Sequence, residues 1–109
     1  MVTLNETEQL VLLSVARLGT DAYGVTVRRE IAHRIGRPVS ITAVYAALDR
    51  MERRGLARSW LSDPTPERGG RARKQFELTP AGADALVAQQ RAMGRMWEGV
   101  DLGAYGVEG

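Results

Sequence analysis

The feature that most constrains this chain is Gly69-Gly70-Arg71-Ala72-Arg73-Lys74, which runs straight into Gln75-Phe76-Glu77-Leu78-Thr79-Pro80. Two adjacent glycines let the backbone turn, and Arg71, Arg73 and Lys74 sit on the far side of that turn. The alternating segment that follows stops at Thr79-Pro80, a helix cap with proline at the first helical position. Such a stretch reads as the basic tip of a β-hairpin that hands the chain on to a helix. Behind a compact helical pair, a basic hairpin becomes the wing of a winged helix, a geometry that binds DNA.

The preceding residues supply the helices. From Asn5, the apolar residues Leu10, Leu13, Val15 and Leu18, with Val11 and Leu12 between them, make a dense helical stripe over about Glu6 to Leu18. Asn5 and Glu8 form a near-match to a capping box, and Gly19 ends the run. A second helix from about Gly24 to Ile35 sets Val27, Ile31 and Ile35 four residues apart, stops at Gly36, and is kept from restarting by Pro38. Ser40 then caps a third helix whose inner face is Val44, Leu48 and Met51 and which Gly55 closes.

Two short strands follow, Leu56 to Leu61 and Lys74 to Leu78, around a loop holding Pro64 and Pro66. In the first, either Leu56 and Trp60 or Ala57 and Leu61 can point inward. In the second, alternation turns Phe76 and Leu78 to the core and Gln75 and Glu77 outward. From Thr79 the chain is helical again, with Ala83, Leu86, Gln90, Met93, Trp97 and Val100 spaced in a heptad-like seam. The expected class is mainly α with a small β-hairpin: a winged helix-turn-helix over residues 1–78, a C-terminal dimerisation helix over 79–102, and a flexible tail over 103–109.

Charge is distributed to match. The formal net charge is only +2, yet Arg28 to Lys74 carries +7 while the segments before and after it carry −2 and −3. A basic middle between acidic ends is the footprint of a surface that faces a polyanion. Cysteine is absent, His33 is the sole histidine, and no Gly-rich phosphate loop or nucleophile motif is present, so neither enzyme chemistry nor a metal or other cofactor is expected. Without a signal-like N-terminus or an apolar run of about 20 residues, a cytoplasmic protein is expected. A domain of 109 residues also gains from a partner chain.

On the third helix, taking Val44, Leu48 and Met51 as inward puts Thr42, Ala46, Asp49, Arg50 and Arg53 outward, with Ala43 and Tyr45 flanking them. Small residues near the start let such a helix approach base edges, while Arg50 and Arg53 reach phosphate or guanine. The helix start at Ser40 offers N–H groups to phosphate. Asp49 suits this face only if it pairs with Arg53 one turn on. Arg71, Arg73 and Lys74 at the wing lie along the backbone or a narrow minor groove. An alternative use of the same fold is a winged helix that binds protein without specific DNA binding; the outward arginines count against it.

Asn5 to Leu13, Tyr23-Gly24, Val44 to Leu56 and Gly70-Arg71-Ala72-Arg73-Lys74 through Leu78-Thr79-Pro80-Ala81-Gly82 together resemble the PadR family of transcriptional regulators, related to the MarR group. The resemblance spans about Leu4 to Trp97. It implies a homodimeric repressor that binds a palindromic operator through its third helix and wing, with the C-terminal helix crossing to the partner. The short C-terminal region is similar to the branch with a single dimerisation helix. That branch implies a tryptophan at the dimer centre, here Trp97, with Met93 nearby, able to hold a small aromatic effector. The seam reading of the same residues makes Leu86, Gln90, Met93, Trp97 and Val100 an interface, with Trp97 first its anchor.

Overall fold

A computed structural model of the chain describes residues 2–62 and 72–107. Helices α1 (Glu6–Leu18), α2 (Gly24–Ile35) and α3 (Ile41–Arg53) precede strands β1 (Ala57–Leu61) and β2 (Lys74–Leu78), and α4 (Pro80–Trp97) follows. The strands pair antiparallel, from Ala57 opposite Leu78 to Leu61 opposite Lys74.

Each helix starts where the sequence provides a cap. Asn5 Oδ1 accepts the Glu8 N–H at 2.8 Å while Glu8 Oε1 accepts the Asn5 N–H at 2.9 Å, a complete capping box. Ser40 and Thr79 accept from Ala43 and Gly82 N–H, each at 3.0 Å, and Pro80 occupies the first turn of α4. Gly36 and Gly55 end α2 and α3 with φ of 69° and 74°, backbone that residues with a Cβ adopt at a cost.

The interior has two parts. Val11, Val15, Val27, Ile31, Leu48 and Phe76 belong to the first, where the three helices meet β2. Leu4, Leu12, Met51, Leu56 and Ala85 belong to the second, which joins α1 and α3 to the start of α4. The inner face of α3 is as expected, with Ala47 added to Val44, Leu48 and Met51.

Several expected facings change. Leu13 stays exposed, because six apolar residues crowded into nine positions do not say which edge of the stripe is inward; Val11, Leu12 and Val15 are the buried ones. Ile35 is also exposed, since the core ends one turn earlier at Ile31. Neither facing proposed for β1 holds: Leu56 and Ala57 are both buried at its base, while Trp60 and Leu61 both stand out at its far end. Gln75 is buried rather than outward. Its strand is also covered along the edge not paired with β1, where the Phe76 N–H donates to the Ala22 carbonyl at 2.9 Å, and the Gln75 amide reaches Gly19 O of the same turn at 3.1 Å.

At the C-terminus, α4 ends at Trp97, so Val100 lies beyond the helix, after Gly99 with φ of 75°. Part of the expected tail is ordered as a 3₁₀ turn over Leu102–Tyr105, capped by Asp101.

The junction of α3, β1 and α4 is tight. Thr79 Oγ1 donates to Gly55 O at 2.7 Å, and a Cβ at Gly82 would lie 2.0 Å from Leu56 O. Gly82→Ala should therefore lower stability by about 2–3 kcal/mol in urea unfolding, against the ~1 kcal/mol gain that helix propensity alone gives. Unchanged or raised stability would remove the close approach.

Candidate nucleic-acid interface

One open face is built by α3 and the root of the wing. Thr42, Tyr45, Ala46 and Asp49 of α3 and Lys74 and Phe76 of β2 line a hollow of about 520 Å³ between the two elements. Thr42, Ala46, Asp49 and Arg53 are exposed and Ala43 is half-buried, so the helix presents the small residues of its first turns and a cation further along. Asp49 pairs with Arg53 at 2.8 Å, one turn apart, which offsets the carboxylate on this face.

Arg50 does not stand on that face. Its Nε donates to Glu8 Oε2 at 3.0 Å, and Arg54 Nη1 lies 3.7 Å from the other oxygen. Glu8 is only 6 % exposed. Burial would push its carboxyl upward, but the Asn5 N–H and the guanidinium groups of Arg50 and Arg54 outweigh this and hold it below the usual range. One carboxylate thus caps α1 and ties α3 to it. The sequence marks Glu8 as a capping residue, but nothing local reveals cations 42 and 46 positions away.

Ser40 spends its hydroxyl on Ala43 N–H, leaving the other N–H groups of the first turn outward. Tyr45 leans over α2: a Cβ at Gly24 would lie 2.2 Å from its ring, so Tyr23-Gly24 provides the seat on which this half-exposed aromatic rests. In the wing, the Arg73 guanidinium stacks 4.7 Å over the Tyr23 ring, and its backbone N–H donates to Ser62 Oγ at 3.2 Å. Lys74 Nζ is 3.0 Å from Glu52 Oε1 of α3. The Ser59 hydroxyl, then Lys74, lowers the Glu52 carboxyl from its ordinary value. Arg71 lies outside the described residues. Tyr23 and Glu52, which hold the two wing cations, are not evident from the sequence, because both contacts form across elements.

On the other side of the molecule, Leu13, Leu86, Gln90, Met93 and Trp97 line a hollow of about 620 Å³ between α1 and α4. Leu86 is half-buried, whereas Gln90, Met93, Trp97 and Val100 are exposed; Trp97 shows 56 % of its surface. Gln89, one residue from the seam, grips the chain before α1: Leu4 N–H donates to its Oε1 at 2.8 Å and its amide donates to Leu4 O at 2.5 Å. Among the described residues, no cluster of His, Cys, Asp or Glu could hold a metal ion, and no helix is long and apolar enough to cross a membrane.

A three-helix core with a basic wing following α3 is the arrangement of a winged helix. The model of the transcriptional regulator PadR-like family matches residues 12–88. The chain belongs to this family. As a PadR-like protein it is a DNA-binding transcriptional regulator. No curated protein matches it in sequence.

Solved structures share the fold. A PadR family transcription regulator from Clostridium difficile R20291 is 23 % identical with a TM-score of 0.68, covering 85 % of this chain and 95 % of that one. Protein smu.1704 of Streptococcus mutans UA159 is 19 % identical at 0.67, covering 100 % and 99 %. Bordetella bronchiseptica BpsR, whose DNA binding is regulated by 6-hydroxynicotinic acid, is 19 % identical at 0.58, covering 90 % and 68 %.

Glu8→Gln removes the buried partner of an ion pair whose arginines are each 38 % exposed and should destabilise this PadR-like protein by about 1–2 kcal/mol at pH 7. Because the folded-state carboxyl is held below its ordinary value of 4.5, its contribution is present above that value and fades as pH falls through the folded value. Urea midpoints measured from pH 7 to pH 3 should converge for the two proteins. Parallel curves would show that Glu8 contributes nothing through its charge.

Proposed function

We propose that the protein is a homodimeric repressor that binds a palindromic operator through two copies of α3 and the wing, and that a small aromatic effector at the dimer centre releases it. One observation carries the reading. The two faces differ in character: α3 and the wing root bound a hollow lined by Thr42, Asp49 and Lys74, with Arg53 beside it on Asp49, while α4 leaves Met93 and Trp97 uncovered beside Leu13. An apolar patch of this kind on a small domain marks an interaction surface.

The division of labour follows. Residues 1–78 bind DNA, with Thr42, Ala43, Tyr45 and Ala46 toward base edges, the helix start at Ser40 on phosphate, and Arg53, Arg71, Arg73 and Lys74 on the backbone. Arg50 acts through Glu8, setting the pose of α3. The helix opened by Thr79 pairs the chains through Leu86, Gln90, Met93 and Trp97, with Val100 just beyond its end; the tail from residue 103 takes no part. Paired Trp97 and Met93 side chains form the effector's seat. The regulation of BpsR's DNA binding by 6-hydroxynicotinic acid gives a precedent, in a protein of like fold, for control by a flat heteroaromatic acid.

Selecting DNA from a random pool with the purified protein tests the reading: it should return a palindrome with half-sites about one helical turn apart, ~34–36 Å. Recovery of no common sequence would overturn operator recognition and favour the protein-binding alternative.

Two variants test the assignments. Arg73→Ala with Lys74→Ala should weaken binding on all sequences and flatten the dependence of log K on log salt by about 0.9 for each phosphate no longer neutralised. An unchanged slope would take the wing off the DNA. Trp97→Ala should shift the protein toward monomer in sedimentation velocity at micromolar concentration; unchanged mass would remove Trp97 from the interface.

A further inference from the structure

A third hollow lies at the root of the wing, bordering the α1–α4 hollow at Leu78 and the wing cation Arg73 at Tyr23. It holds about 600 Å³ and is walled by Val15 and Ala16 of α1, Tyr23, Trp60 of β1, and Gln75, Glu77 and Leu78 of β2, the Glu77 carboxylate being taken up by Arg58. That volume suits a drug-sized organic molecule. Trp60 and Gln75 are directly opposed across the hairpin, so both project from the same side of it.

The hydrogen bonding of Gln75 distinguishes this hollow from a chance apolar dent. The residue is 4 % exposed. Its Nε2 donates to Gly19 O at 3.1 Å and to Phe76 O at 3.2 Å. Two carbonyls can be served only by the amide nitrogen, which fixes the amide's orientation and leaves Oε1 as the group without a partner among the described residues. A buried acceptor left unmatched costs about 1–3 kcal/mol. Here it belongs to a residue that lines the hollow together with Trp60 and Tyr23.

We propose that this hollow is a small-molecule site for a neutral aromatic or fused-ring compound carrying one hydrogen-bond donor, an N–H or O–H received by Gln75 Oε1. Trp60 and Tyr23 supply ring surface, and Val15 and Leu78 supply the apolar floor. Of its lining only Leu78 also borders the hollow at Trp97, and its occupancy requires neither DNA nor a dimer. Tyr23 also carries Arg73 on its ring, so an occupant shares a wall with a wing cation.

The test is titration of the ¹⁵N-labelled full chain with 2-naphthol, followed by two-dimensional NMR. Trp97→Phe assigns the Trp60 indole N–H, and Gln75→Leu assigns the Gln75 side-chain amide. Both signals should shift together and saturate at sub-millimolar 2-naphthol. Ala16→Phe, at an exposed position of the wall, should weaken this at least tenfold, while Trp97→Ala should leave it within twofold. 2-Methoxynaphthalene, which lacks the donor, should bind at least tenfold more weakly, and Gln75→Leu should abolish that preference. Signals that stay still, or an Ala16→Phe protein that binds as the parent does, would overturn the site. Equal affinity for the two naphthalenes would overturn the role of Gln75.

Discussion

Much of the architecture hangs on one carboxylate. Glu8 closes the capping box at the start of α1 with one oxygen and receives Arg50 with the other, while Arg54 approaches from the same helix. A charge this deeply buried is tolerated only with its partners in place, so the angle between α1 and α3 is held by polar geometry as well as by packing. The stretch just before α1 is drawn into the same network. Gln89 of α4 clamps both backbone groups of Leu4, and Arg54 reaches Thr3 O at 3.1 Å. Helices far apart in sequence thus meet at residues 3–8.

The basic charge of the middle segment is used mostly for positioning. Arg34 meets Glu30, Arg58 reaches Glu77 across the hairpin at 2.6 Å, Lys74 meets Glu52, and Arg53 meets Asp49. Pairs this exposed contribute little to stability, at most about 1 kcal/mol each. What they do is limit where each cation can lie. A side chain already restricted loses less freedom on meeting a phosphate than one that is free to move.

How much was legible in the sequence depends on the range of the interaction. Helix spans and caps followed from local chemistry: Asn5 with Glu8, Ser40, and Thr79 with Pro80 act within one turn, and each did what its residue type implies. The family was legible too, because motif order survives where single motifs are loose. Facing was less so. Leu13 and Ile35 belong to apolar patterns that extend past the core, and Gln75 breaks the alternation of its strand because a turn from another part of the chain covers the edge not paired with β1. The turning of Arg50 away from the open face of α3 was the least accessible, since periodicity assigns a direction to the Cβ and not to a long side chain with a carboxylate elsewhere.

The tight seat of Gly82 under Leu56 O, with Thr79 bound to Gly55 O, has a mechanical consequence. It fixes a pivot directly behind the end of α3, and the 18 residues of α4 extend from it as an arm about 27 Å long. Tilting that arm by about 10° moves its far end by roughly 5 Å, more than the ~3.4 Å between successive bases of one strand. In the proposed dimer, half-site spacing is therefore a matter of leverage: a small change of angle at the glycine fulcrum becomes its largest displacement at Trp97, where the two chains meet.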